Sequence, residues 1–160
     1  DSVRFAAVGI DLFQKSASKF GARKVWACMR CFHPSAPIRT KRKGDRDCPK
    51  CKKSDAIKSF ASEAEFLRWI ELSRMQRHGL IEALEYQPVF PLIINGVDIK
   101  KRYTADSRYK ELGKVVVEEV KGFEVPEGLL RRRIAEAIYG ISIRVINKAA
   151  LRKNRGVPRS

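Results

Sequence analysis

Glu119 and Lys121 close the apolar run Val115-Val116-Val117-Glu118-Glu119-Val120-Lys121-Gly122. A strand repeats its face every second residue, so a carboxylate and an ammonium emerge together from one side of this predicted strand. Charges at the end of a core strand lose solvation free energy unless they are paired or hold a metal. Upstream lies Asp106, within Ala105-Asp106-Ser107-Arg108-Tyr109, and the polar stretch Lys110-Glu111-Leu112-Gly113-Lys114 suits a tight hairpin turn. With Leu112 and Gly113 as the loop, position 106 falls opposite position 119. Two carboxylates and a lysine then share one spot, an arrangement suited to metal-dependent phosphodiester hydrolysis. Ligands that are all oxygen favour Mg2+ or Mn2+ over zinc. Lys121, beside carboxylates, stays charged and suits electrostatic stabilisation better than general-base work. The same Glu-x-Lys also reads as a plain salt bridge on an exposed edge strand. Glu118 alternates to the other face and reads as solvated.

The four cysteines fall in one block, Cys28-Met29-Arg30-Cys31 and Cys48-Pro49-Lys50-Cys51. Paired Cys-x2-Cys motifs at this separation are the spacing of a tetrahedral, four-thiolate structural Zn2+ site. Such a site has no open coordination position and supplies folding free energy, not catalysis. Two disulfides or an iron–sulfur cluster are the weaker competing readings. The segment between the motifs carries Arg39, Lys41, Arg42, Lys43 and Arg46, either as phosphate contacts or as solvated charge on a small module.

The elements that must position these residues follow from periodicity and capping signals. Ser62 with Glu65 makes a capping-box pattern at the head of a helix with Phe66, Trp69, Ile70 and Ser73 on one stripe, closed by Gly79. That pattern alone gives Glu65 a structural role as credible as a catalytic one. Residues 81–94 read as one or two strands interrupted by Pro88 and Pro91, and Asn95-Gly96 is a hairpin signal. A strand over 99–109 and one over 114–121 follow. Pro126 opens a helix with Leu130, Ile134 and Ile138 on one stripe, ended by Gly140, and Ile141, Ile143 and Val145 alternate as a last strand. The strand–helix–strand crossover from 114 to 146 makes its two strands parallel. The expected fold is α/β, with element order α, β, β, β, α, β: a mixed four-to-five-stranded sheet flanked by helices, carrying a small zinc-ribbon insertion. The expected division is an N-terminal segment over 1–24, the ribbon over 25–56, a core over 57–147 and a flexible basic tail over 148–160.

Composition narrows the partner. A net charge of +16 over 160 residues points to nucleic acid, with basic clusters at 39–53, 131–133 and 148–159. Arg131 and Arg132 could meet phosphates from the start of the second helix, or simply form its polar side. No apolar run approaches the roughly 18 residues of a membrane span, so no membrane partner and a cytoplasmic location are expected.

With Asp106 and Glu119-x-Lys121 on a hairpin in this element order, the chain resembles the PD-(D/E)xK nuclease superfamily, and within it a small phage-encoded endonuclease family. The matching words are Lys19-Phe20-Gly21, Lys24-Val25, Phe60 with Ser62 and Glu65, Gln87-Pro88, Tyr103-Thr104-Ala105-Asp106, Val117 to Gly122 and Tyr139-Gly140-Ile141. Ala105 stands where the superfamily often has Pro, and Ser107 where it usually has an aromatic residue. The resemblance implies a restriction-endonuclease-like core and a Mg2+-dependent DNA endonuclease, with the ribbon inserted into a hairpin. It implies that Asp106, Glu119 and the Val120 carbonyl hold Mg2+ and that Lys121 orients or activates water. Glu65 would complete the metal shell and Gln87 would assist. By analogy with small phage resolvases, branched DNA is the expected substrate, a homodimer the expected assembly and the host cytoplasm the expected location. The alternative is a non-catalytic zinc-ribbon module that binds nucleic acid on a decayed nuclease core.

Overall fold

The computed structural model describes residues 24–38, 42 and 44–153. The chain separates into two compact units after Phe66. Strand β1 (Val25–Cys28) pairs antiparallel with β2 (Ile57–Phe60), Val25 opposite Phe60, and the cysteine block lies between them. Pairing ties β2 to the ribbon.

Helix α1 (Glu63–Arg77) starts with the expected capping box. Ser62 Oγ accepts from the Glu65 N–H at 3.3 Å and donates to Glu65 Oε1 at 3.0 Å, while Glu65 Oε2 accepts from the Ala61 N–H at 3.0 Å. One N–H that the helix start leaves without an intrahelical partner, that of Glu65, is thereby satisfied, and the Glu65 carboxylate also ties down the residue before the cap. The helix buries Trp69 and Leu72 most deeply, so the stripe sits slightly round from the one the sequence suggested.

The second unit is built on a mixed four-stranded sheet ordered β3-β6-β7-β8. Its strands are β3 (Glu82–Tyr86), β6 (Ser107–Glu111), β7 (Lys114–Lys121) and β8 (Ile143–Asn147), with β7 and β8 parallel. Strands β4 (Val89–Ile94) and β5 (Val97–Thr104) form a separate two-stranded sheet. The expected continuous strand over 99–109 is thus two strands broken at Ala105-Asp106. The break is matched on the neighbouring strand at Gln87-Pro88, where Gln87 has φ 49°. The two bends are laced together, Gln87 N–H to Asp106 carbonyl at 3.0 Å and Ala105 N–H to Pro88 carbonyl at 3.2 Å. Pro88 cannot donate to a ladder and disfavours a helical preceding residue, so both strands turn at one level.

Leu112 (φ 50°) and Gly113 (φ 76°) form the two-residue turn between β6 and β7, closed by the pair Glu111 and Lys114. Two consecutive positive φ values are what the right-handed twist of a tight hairpin demands. Helix α2 (Pro126–Tyr139) begins with Pro in its first turn and ends at Gly140 in the left-handed conformation. It crosses between β7 and β8. Ala135 is its fully buried residue, with Ile134 and Ile138 packed alongside, whereas Leu130 is exposed.

Both faces of the sheet are covered. Phe90, Leu92, Tyr103, Ala105, Val117, Ala135 and Ile143 form one core cluster, and Leu72, Ile81 and Tyr109 another. Residues 148–153 are helix α3, which corrects the expectation of a structureless tail from 148. Residues 1–23 and 154–160 lie outside the described residues, including the words at 19–21. No helix among the described residues is long and apolar enough to cross a membrane.

Candidate functional site

The four cysteines converge. Sγ of Cys28 lies 3.7 Å from that of Cys51, and Sγ of Cys31 lies 3.5 Å from that of Cys48. A tetrahedron with metal–sulfur bonds of about 2.3 Å has edges of roughly 3.8 Å, so the spacing fits a metal such as zinc. It is far too long for a disulfide bond. All four donor atoms lie within 4.8 Å of one another, and among the described residues this is the only such group of three or more.

The two halves of the site repeat one backbone design. Phe32 N–H donates to the Cys28 carbonyl at 3.0 Å, and Lys52 N–H to the Cys48 carbonyl at 2.9 Å. Cys28 N–H reaches the His33 carbonyl at 2.8 Å, and Cys48 N–H the Lys53 carbonyl at 3.0 Å. Phe32 (φ 61°) and Lys52 (φ 57°) both take the left-handed turn. Backbone N–H groups of Arg30 and Cys31 point at Cys28 Sγ, and that of Cys51 at Cys48 Sγ. Burial pushes the Cys28 thiol up, to about 12. Burial also pushes Cys48 up, but donors from Cys51 and Lys50 outweigh it and bring that thiol down to about 6. Of the basic residues between the motifs, Arg42 is exposed; Arg39, Lys41 and Lys43 lie outside the described residues.

In the second unit, Asp106 straddles Glu119 across the hairpin. Its N–H donates to the Glu118 carbonyl at 3.1 Å, and its Oδ2 accepts from the Val120 N–H at 2.6 Å. Glu119 is buried, and its Oε1 pairs with Lys121 Nζ at 2.7 Å. Its Oε2 accepts from the Tyr103 hydroxyl at 2.7 Å and lies 3.9 Å from Arg132 Nε. Burial raises the Tyr103 phenol far above its ordinary range, as do the carboxylate it donates to and the charge of Asp106. Both acids therefore bear on the same hydroxyl. Tyr103 stays a neutral donor that orients Glu119.

Arg132 corrects the picture of a phosphate-contacting helix start. Its guanidinium is largely buried and donates twice to Glu124 Oε1, at 3.1 and 2.7 Å, while facing Glu119. Desolvation works against its charge, but Glu124, Glu136 and Glu119 hold the cation firmly. Arg131 remains at the surface, paired with Glu127 one turn earlier. Gln87 is exposed, and its contribution to the site is the main-chain bond that fixes Asp106. Glu65 lies in the other compact unit with its carboxylate engaged in the capping box. Lys148, at the head of α3, lies over Gly122, where an added Cβ would come within 2.9 Å of the lysine Cδ.

Glu118 is the clearest departure from the sequence reading. It is fully buried, not solvated. Arg68 clamps it with Nε at 3.0 Å and Nη2 at 2.8 Å, Tyr109 donates its hydroxyl at 2.5 Å, and Arg144 Nη1 lies at 3.3 Å. Arg144 sits opposite Glu118 in the parallel β7–β8 register. Sequence reasoning missed Arg68, Tyr109 and Arg144, as well as Tyr103. The near-continuous apolar run into β7 was the available signal, because a strand covered on both faces loses its alternation.

No protein-family model matches this chain, and neither a curated protein nor a solved structure matches it.

Proposed function

We propose that the second unit is a metal-dependent DNA endonuclease of the PD-(D/E)xK type and that the cysteine unit holds a structural zinc ion. The observation that carries the reading is the approach of the Asp106 carboxylate to the Val120 N–H, next to Glu119 on β7, with Lys121 ion-paired to Glu119. Adjacent carboxylates repel unless a cation lies close, and this donor set, oxygen alone, fits a hard divalent ion. Asp106 and Glu119, with the carbonyl of Val120, would hold Mg2+ or Mn2+. When bound, the ion acts as a Lewis acid on the phosphate and acidifies its own water.

The remaining work falls to the chain. Tyr103 and the Val120 N–H fix the two carboxylates so that they need not reorganise during reaction. Lys121, about a third exposed, faces solvent from beside Glu119, where it can stabilise charge gathering on the phosphoryl oxygens. Arg132 raises the local positive potential without leaving its partners. The net charge of +16 supports a polyanionic substrate. The proposed substrate is branched DNA, and coordinated cutting of both strands would call for a homodimer.

The test is cleavage of supercoiled plasmid and of a four-way junction with Mg2+ or Mn2+. Wild type is expected to cut, and Glu119→Ala and Lys121→Ala to lose activity by at least about a hundredfold, the scale of one preorganised electrostatic group. Cleavage that survives both substitutions eliminates this reading. Binding of DNA with no cleavage by wild type under either metal leaves the zinc-ribbon binding module as the function.

A further inference from the structure

The β4–β5 hairpin leaves large aliphatic side chains in water on both of its faces. Val89, Ile93 and Ile94 on β4 are 51%, 45% and 41% exposed, and Val97 and Ile99 on β5 are 64% and 39% exposed. Ile94 and Val97 face each other across the Asn95-Gly96 turn and form the tip. The same hairpin carries Lys100, Lys101 and Arg102, all exposed. Between the pairs Ile93–Asp98 and Pro91–Arg102, β5 holds two residues more than β4, a bulge in which Lys100 takes φ 57°. Asp98 Oδ1 accepts from the Lys100 N–H at 2.8 Å and steadies this bulge, which presents a lysine side chain 85% exposed.

At its other end the hairpin is anchored. Tyr139 donates its hydroxyl to the Pro91 carbonyl at 2.7 Å, and the Phe90 ring packs against those of Tyr103 and Tyr139. Tyr103, at the end of β5, touches Glu119. The arm is therefore mechanically continuous with the acid pair.

We infer that this hairpin is a duplex-DNA-binding arm: Lys100, Lys101 and Arg102 hold phosphates while Ile94 and Val97 wedge against base steps in the minor groove. The inference rests on the nucleic-acid reading given above and adds which surface grips the substrate. Charge decides between DNA and a second copy of the chain. A two-fold contact buries the same patch on both copies and would bring the three cations near their own images, on a chain already at +16. A polyanion removes that repulsion. Aliphatic side chains flanked by cations are also the chemistry of minor-groove wedges, which unstack a step and bend the duplex. Tyr103 follows Arg102 directly and its hydroxyl holds Glu119, so the arm and the acid pair are joined through one strand.

The experiment measures binding of the full chain to a fluorescein-labelled duplex over a series of salt concentrations, without divalent metal so that nothing is cut. Replacing Lys100, Lys101 and Arg102 with Ala is expected to weaken binding and to flatten the logarithmic salt slope by about 2–3, at roughly 0.9 per phosphate contact. Ile94→Ser with Val97→Ser is expected to weaken binding about tenfold with the slope unchanged, because only apolar contact is removed. Energy transfer between dyes on the duplex ends should report a bend with wild type that this tip variant loses. Light scattering should give the same mass for all proteins. Lys100→Ala alone, whose side chain bonds only Asp98, keeps the test open if the triple variant misfolds. Wild-type affinity and slope in these variants overturn the arm while leaving the nuclease reading intact. A halved mass in the tip variant also overturns it, by showing that a second copy covers the patch. Failure of wild type to bind duplex at low salt removes the nucleic-acid reading and the arm together.

Discussion

Glu118 and Glu119 are neighbours on one strand, and each has its own tyrosine and its own cations, yet they are built for opposite purposes. Glu118 faces α1 and meets Arg68, Tyr109 and Arg144, with no exposed surface. Its charge is surrounded by donors fixed on three elements. Glu119 faces the other way, toward Tyr103, Lys121 and Arg132. A closed set of donors leaves a carboxylate nothing further to bind. Lys121, which pairs with Glu119, is about a third exposed, so a cation arriving from solvent can take its place. Both acids are buried, and their partners, more than residue type, separate the structural acid from the one proposed for chemistry.

The largest expected effect lies in the cysteine unit and sets the scale for both acids. Zinc at four thiolates contributes on the order of 10 kcal/mol to folding, so Cys48→Ser should abolish tight metal binding and unfold residues 25–60. Native mass spectrometry and amide hydrogen exchange read both consequences. One zinc per wild-type chain is the expected stoichiometry, and a metal-free folded ribbon would refute the structural role.

Next comes the contrast itself. Glu118→Gln takes the carboxylate from the largely buried Arg68 guanidinium and should destabilise the fold by about 3–5 kcal/mol in urea unfolding. Glu119→Gln should cost no more than about 1 kcal/mol, since the amide keeps a hydrogen bond to Tyr103, Lys121 reaches solvent and Arg132 keeps Glu124. Equal losses at the two positions would break the comparison.

Smaller effects come from the tyrosines. Tyr109→Phe and Tyr103→Phe each remove a hydrogen bond to a carboxylate, worth about 1.5–3 kcal/mol. Only Tyr103→Phe should also slow plasmid cleavage, because only that phenol positions an acid of the proposed site. Both phenols are held above their ordinary range, first by burial and then by the carboxylates they serve. The folded chain therefore holds these protons more tightly than the unfolded chain. Stability is complete below about pH 10 and declines as pH rises past it, and the phenolate absorbance of both residues should appear only with unfolding. Reversible ionisation near pH 10 within the native fold would contradict the geometry of both.

Local signals in the sequence were legible wherever a short stretch determines its own structure. The Ser62–Glu65 box, the Leu112-Gly113 and Asn95-Gly96 turns, the Gly140 terminus and the paired Cys-x2-Cys motifs all rest on residues within a turn or two of each other. The opposition of Asp106 and Glu119 followed from counting back along that hairpin. Features set by packing at long range were not legible. Glu118 is buried because Arg68 and Arg144, distant in sequence, cover it, and alternation alone cannot say whether a second face is covered. The break at Ala105-Asp106 depends on the matching bend at Gln87-Pro88. Arg132 turns inward because Glu124 and Glu119 lie within reach, which a run of three arginines does not announce.

The most direct measurement is a titration of the full chain with Mn2+, its cysteine site already loaded with zinc, followed by electron paramagnetic resonance. One Mn2+ bound to wild type and lost in Asp106→Asn and in Glu119→Gln is the expected result. Mn2+ that binds those variants as it binds wild type, or that finds no site in wild type at all, would contradict the account.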